Sequence, residues 1–130
     1  LGGLIDFSIM GSADRQMAYA FIGEMKKIID PKHTEDYKRL LLEWQKRAVK
    51  HIDYNLGYVD GALMHYWHGS KKNRGYAWRN NLLIENNFNP LTDLKKDWQG
   101  VYRLAGNKPK LRNACHAYFK SRNEDSITVD

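Results

Sequence analysis

A single cysteine, Cys115, stands in 130 residues. That excludes a disulfide framework and a multi-cysteine zinc site, and it fits a reducing compartment such as the cytoplasm. Cys115 falls in the apolar pattern of a predicted helix, so it reads as a buried structural thiol rather than a nucleophile. No apolar run approaches the roughly 18 residues of a membrane span, and no signal peptide is visible. No internal repeat, linker or low-complexity block interrupts the chain. Acidic residues are the minority, 15 against 21 lysines and arginines, for a net charge of +6. The excess suits an anionic partner: nucleic acid, an anionic membrane surface or a phosphorylated small molecule. Net charge does not separate the three.

What is present reads as globular. Hydrophobic residues make up 42% and aromatics 12%, which argues against disorder. The length suits one domain over residues 1–130 with a modest core. Residues 4–10 place Ile5, Phe7 and Ile9 on one side and predict a short strand. Ser12 is positioned to cap a helix over residues 13–29 with Met17, Phe21, Met25 and Ile28 at helical spacing. After Asp30-Pro31, Thr34 can cap a longer helix to about Asp53, with Tyr37, Leu40, Leu41, Trp44, Ala48 and Ile52 as one stripe. Its opposite face, with Lys38, Arg39, Glu43, Lys46, Arg47 and Lys50, reads as solvated. Strand is predicted at residues 58–59 and 62–66, and a helix over 76–87 with Trp78, Leu82 and Leu83 inward. An extended piece is expected at 101–104. A last helix starts at Pro109 and buries Leu111, Ala114, Cys115, Tyr118 and Phe119. The fold class is α/β, predominantly helical with a few short strands.

Chemistry concentrates in residues 57–76. An apolar run passes through His65 and His68, breaks at Gly69-Ser70, and enters a basic loop of Lys71, Lys72 and Arg74. Either histidine can donate an imidazole nitrogen to a divalent cation, and His68, beside the basic loop, is the better placed. On a true strand, residues three apart face opposite sides, so both bind one metal only if the strand ends there. The competing reading is a pair of ordinary hydrogen-bonded histidines. Lys71, Lys72 and Arg74 before a helix start suit a phosphate or diphosphate, or else form a solvated loop. Tyr66 and Trp67, with Ser70 beside them, could line a sugar or nucleobase site by stacking. Upstream, Gly11-Ser12-Ala13-Asp14 displays a carboxylate at a helix N-terminus, where it can act as a general base or simply favour the helix dipole.

In this order, the features resemble the C-terminal half of a GT-A-fold glycosyltransferase of the family-2 or galactosyltransferase type, such as occurs in phage and bacterial proteins. There, a Gly-Gly-Glu-Asp or Glu-Asp motif opens a helix with the catalytic base, and a later strand ends in a metal-binding His. Gly11-Ser12-Ala13-Asp14 resembles the first motif, with Asp14 at the base position. The run from Met64 through His65, Tyr66, Trp67 and His68 to Gly69-Ser70 resembles the second. His68 takes the metal position and His65 that of a second, weaker ligand. The segment Gly57-Tyr58-Val59-Asp60-Gly61 is similar to the Gly-Tyr-Val-Pro-Gly that leads into that strand. The resemblance covers about residues 4–78.

It implies metal-dependent, inverting transfer from a nucleotide-diphosphate sugar to a saccharide or other hydroxyl acceptor. The cofactor it implies is Mn2+ or Mg2+, with Lys71, Lys72 and Arg74 on the diphosphate. Two departures stand out. Ala13 replaces the usual Glu, and the chain has no Asp-x-Asp, which normally lies in the upstream nucleotide-binding half. With no initiator Met, the expectation is an acceptor-side part of a larger enzyme, inactive alone. The alternative is a basic nucleic-acid-binding or interaction module without catalysis, though no helix-turn-helix, RRM or zinc-finger signature supports it.

Overall fold

In the computed structural model, which describes residues 1–66 and 69–125, the chain runs through five helices and one hairpin. These are α1 (Ala13–Phe21), α2 (Glu35–Ile52), α3 (Asn81–Glu85), α4 (Pro90–Asp93), β1 (Leu94–Lys96), β2 (Tyr102–Leu104) and α5 (Pro109–Ser121). Single 3-10 turns occupy Met25–Lys27 and Lys72–Arg74. The molecule is therefore mostly helical with two short antiparallel strands, a small mixed α/β unit. No described helix is long and apolar enough to cross a membrane.

The predicted stripe of α2 forms the centre of the core. Tyr37, Leu41, Trp44 and Ala48 are buried, while Leu40 and Ile52 pack at its edge. Side chains three and four apart on a helix share a face, so this spacing presents one apolar surface to α1 and to the N-terminal segment. On the solvent face, Lys38 pairs with Glu35, and Arg39 pairs with both Asp36 and Glu43. Thr34 precedes the helix as expected but does not cap it with its side chain. Its hydroxyl donates instead to the Phe88 carbonyl at 2.7 Å, tying the start of α2 to the segment before α4.

Residues 4–10 do bury Ile5, Phe7 and Met10, but they form no strand. The alternation holds only through Phe7: Ile9 is partly buried, while Ser8 and Met10, on the other parity, are buried, and the Ser8 side chain is engaged inward. Ser8 Oγ donates to Gln16 Oε1 at 2.6 Å, and Gln16 Nε2 donates to the Tyr37 hydroxyl at 3.1 Å. With the Ser8 proton used, the Tyr37 hydroxyl donates back to Ser8 Oγ across 3.0 Å. This closed ring satisfies three buried polar groups at once, as burial requires. Burial pushes the Tyr37 phenol above its ordinary range, against the pull of the Ser8 and Gln16 hydrogen bonds.

The first helix stops at Phe21 rather than near residue 29. Gly23 takes a left-handed φ of 75°, and a Cβ there would lie 3.1 Å from the Tyr54 hydroxyl. Met25 still reaches the core, fully buried, from a 3-10 turn whose N–H donates to Gln45 Oε1 at 2.7 Å. The extended piece at 101–104 contains β2. It pairs with β1 in the register Leu94↔Leu104, Lys95↔Arg103, Lys96↔Tyr102, a partner that sequence periodicity did not reveal. Helix α5 starts at Pro109 as predicted and buries Leu111, Cys115 and Tyr118. Phe119 is half-exposed, one position off the buried face.

Two predicted elements change character. Residues 76–87 yield only the short α3, because Gly75 and the turn after it lead in. Trp78 is 46% exposed rather than inward, its ring standing edge-on to Tyr118 at 5.7 Å. Residues 58–59 and 62–66 form no strand, and every residue from 53 to 66 is exposed. A strand needs a neighbour to take its backbone N–H and C=O groups, and no described strand lies alongside.

Candidate active site

The site is assembled where the turn before α1 meets the segment before α3. The first turn closes with the Gly11 N–H donating to the Ser8 carbonyl at 2.9 Å. Gly11 and Ser12 then take positive φ values of 89° and 73°, which aims the chain into α1 with Asp14 in its first turn. Ser12 does not cap α1 with its hydroxyl. That oxygen accepts instead from Arg79 Nη2 at 3.1 Å. A Cβ on Gly11 would lie 3.0 Å from the same Nη2, so glycine here serves both the left-handed turn and the close approach of a guanidinium.

Arg79 is positioned by the turn before it. Gly75 is left-handed, and a Cβ there would come within 2.7 Å of the Trp78 ring. The Gly75 carbonyl accepts from the N–H groups of Trp78 and Arg79. The Arg79 guanidinium lies over the Tyr76 ring at 4.8 Å, a cation–π contact that holds both side chains at the mouth of the site. Its Nε is buried and without a hydrogen-bond partner, as are those of Arg74 and Arg122. Together Ser12, Asp14, Arg15, Tyr76, Arg79 and Asn80 line a cleft of about 220 Å³.

The basic loop is anchored from below. Arg74 Nη1 donates to the Tyr76 hydroxyl at 2.8 Å and Nη2 to the Gly69 carbonyl at 3.3 Å. The Tyr118 hydroxyl of α5 donates to the Arg74 carbonyl at 2.8 Å. Ser70 is buried, and its Oγ accepts from the Lys72 N–H at 3.1 Å, so its side chain shapes the loop. Lys71 and Lys72 are exposed on the loop's outer side.

Of the residues singled out from sequence, Asp14 lies in the cleft. The basic loop sits directly ahead of two of its walls, Tyr76 and Arg79. His65 and Tyr66 are exposed in the 53–66 segment. Trp67 and His68 lie outside the described residues. Among the described residues, no group of three or more His, Cys, Asp or Glu side chains is placed to hold a metal ion.

Arg15, Arg79 and Asn80 were missed as site residues. The signal was the spacing Arg74-x-Tyr76-x-x-Arg79, which carries the cationic character of the loop into the next turn. Larger grooves exist elsewhere; in the one along α2, between Glu35 and Lys46, Lys38 is paired with Glu35 and Arg39 with Glu43. No protein-family model, curated protein or solved structure matches the chain.

Proposed function

We propose that this chain is the acceptor-side part of a glycosyltransferase that moves a sugar from a nucleotide-diphosphate donor to an acceptor hydroxyl. The observation that carries the reading is the meeting of Asp14 with Tyr76, Arg79 and Asn80 in one cleft. Two stretches about 60 residues apart in sequence, one offering a base and one following a cationic loop, come to a common wall. A carboxylate able to take a proton, on a wall that continues into a cationic loop, suits displacement at a carbon whose anionic leaving group the loop opposes.

In that reaction the Asp14 carboxylate takes the proton of the acceptor hydroxyl. The freed oxygen attacks the anomeric carbon, a new C–O glycosidic bond forms, and the bond to the diphosphate oxygen breaks. Attack opposite the leaving group inverts the anomeric centre. Lys71 and Lys72, exposed on the loop, oppose the negative charge that develops on the departing nucleoside diphosphate, and Arg74 fixes the loop that presents them.

The test is direct. The intact gene product is incubated with a panel of nucleoside-diphospho-sugars and simple saccharides, and product is followed by mass spectrometry and anomeric proton couplings. Acceptor-dependent release of nucleoside diphosphate with an inverted glycoside is expected. Absence of transfer from every donor class overturns the proposal.

A further inference from the structure

We infer that the Asp14 cleft takes an acidic saccharide, a single sugar ring carrying one carboxylate, held by Arg79 and Arg15. This rests on the sugar-transfer reading of the same cleft and names its substrate class.

The charge balance comes first. Two guanidinium groups and one carboxylate line the cleft, leaving one positive charge uncompensated. Neither arginine pairs with a described carboxylate, whereas Arg39, Arg103 and Arg122 each do. Arg79 contacts a hydroxyl and the Tyr76 ring, and Arg15 lies over the Tyr19 ring at 5.7 Å. The hydroxyl and ring contacts anchor Arg79, the ring contact orients the exposed Arg15, and neither neutralises its group. A planar guanidinium fixed by stacking is suited to bidentate recognition of a carboxylate, with two parallel N–H···O bonds.

Size and charge then narrow the ligand. A space of about 220 Å³ is below the roughly 300–1,000 Å³ of drug-sized pockets, room for one ring and not for a nucleotide. A monoanion balances the surplus of one positive charge. A dianionic phosphate would leave net negative charge beside Asp14, where like charges repel. Polar donors for ring hydroxyls stand around the rim. The Ser12 hydroxyl accepts from Arg79 and keeps its own proton to donate, and the Tyr76 hydroxyl accepts from Arg74 and keeps its own.

The experiment titrates the 15N-labelled chain with D-glucuronate, D-glucose, acetate and inorganic phosphate, following backbone amides and arginine Nε–H signals. Glucuronate is expected to shift Ser12, Asp14 and Arg79 signals and to bind more tightly than the other three. Arg79→Gln should weaken glucuronate roughly tenfold or more, the loss of one charged hydrogen-bonded contact. Arg79→Lys should recover only part of it. Arg15→Gln, on the exposed side of α1, provides a second variant whose folding does not depend on the Ser12 contact. Glucose binding as tightly as glucuronate would overturn the acidic preference and leave the sugar site standing. Acetate or phosphate matching glucuronate would reduce the cleft to an anion site and overturn the saccharide. No shift with any probe would overturn both.

Discussion

On the proposed sugar-transfer reading, replacing Asp14 with Asn is expected to lower transfer about 10²–10⁴-fold, the range of a lost general base. Asparagine keeps the size and hydrogen-bonding reach of the side chain but cannot accept the acceptor's proton. The structure makes this a clean substitution. Asp14 is exposed in the first turn of α1, and its side chain enters no hydrogen bond or ion pair with the described residues. Unfolding free energy is therefore expected to stay within about 0.5 kcal/mol of wild type. Donor binding, measured by calorimetry with the nucleoside-diphospho-sugar, should be unchanged while kcat falls. If donor binding is lost along with turnover, Asp14 belongs to the donor site and the assignment as base fails.

The second large effect is on stability. Asp93→Ala is expected to cost about 3–5 kcal/mol, the cost of removing one partner from a buried charge network. That is a large share of the roughly 5–15 kcal/mol available to a domain of this kind. Asp93 is 1% exposed, at the junction of α4 and the hairpin. Its carboxylate accepts from the Asn89 N–H at 2.8 Å and from Asn107 Nδ2 at 2.7 Å. It also pairs with Lys108 Nζ at 2.8 Å. Asn89 in turn donates to Asp36 of α2 at 2.8 Å, so one carboxylate connects the core helix, α4 and the start of α5. Alanine takes the carboxylate from the Asn89 N–H, from the Asn107 amide and from the Lys108 ammonium, which keeps the Asn87 carbonyl at 2.6 Å.

The same geometry sets an acid dependence. Burial alone would raise the Asp93 carboxyl, but the donors of Asn89, Lys108 and Asn107 outweigh it and hold the group below the usual carboxylate range. A carboxyl depressed in the fold contributes stability that is fully present above its unfolded value, about 3.9. That contribution is lost as pH falls through the folded value. Urea midpoints taken from pH 7 down to pH 3 should therefore drop more steeply for wild type than for Asp93→Asn. An unchanged midpoint for Asp93→Ala at pH 7 would mean the network is dispensable.

Helical content was largely legible in the sequence, because an apolar stripe at 3.6-residue spacing carries its own evidence. Tyr37, Leu41, Trp44 and Ala48 needed no knowledge of any other segment to be placed inside. Pro109 marked the start of α5 for an equally local reason. Strand content was less legible because pairing is nonlocal. The alternation announced Ile5 and Phe7 as inward, but Ile9 is only partly buried and Met10 takes the buried place beside it. No ladder partner follows among the described residues, and Ser8 turns inward to Gln16 and Tyr37. In the hairpin the reverse held: Tyr102 to Leu104 was expected to be extended, and its partner Leu94–Lys96 went unnoticed. At the candidate site the sequence offered Asp14 and the basic loop as separate features. What links them is the Arg79–Ser12 contact across 67 residues, whose trace in the sequence is a glycine at position 11 and an arginine one turn past the loop.

The exposed segment from 53 to 66 has a consequence for how the chain breaks. Tyr58, Leu63, Met64 and Tyr66 present nearly their whole side chains to solvent, and these are residues chymotrypsin prefers. Brief digestion is expected to cut here before anywhere in the helical core. The two pieces should then stay together, because contacts that cross the cut are inward ones: Thr34 to Phe88, Asp36 to Asn89, Ser12 to Arg79, and Met10 against Cys115. A nicked chain that elutes as one species and separates only in denaturant would show that the segment is dispensable for holding the fold. The two halves could then be produced separately and recombined.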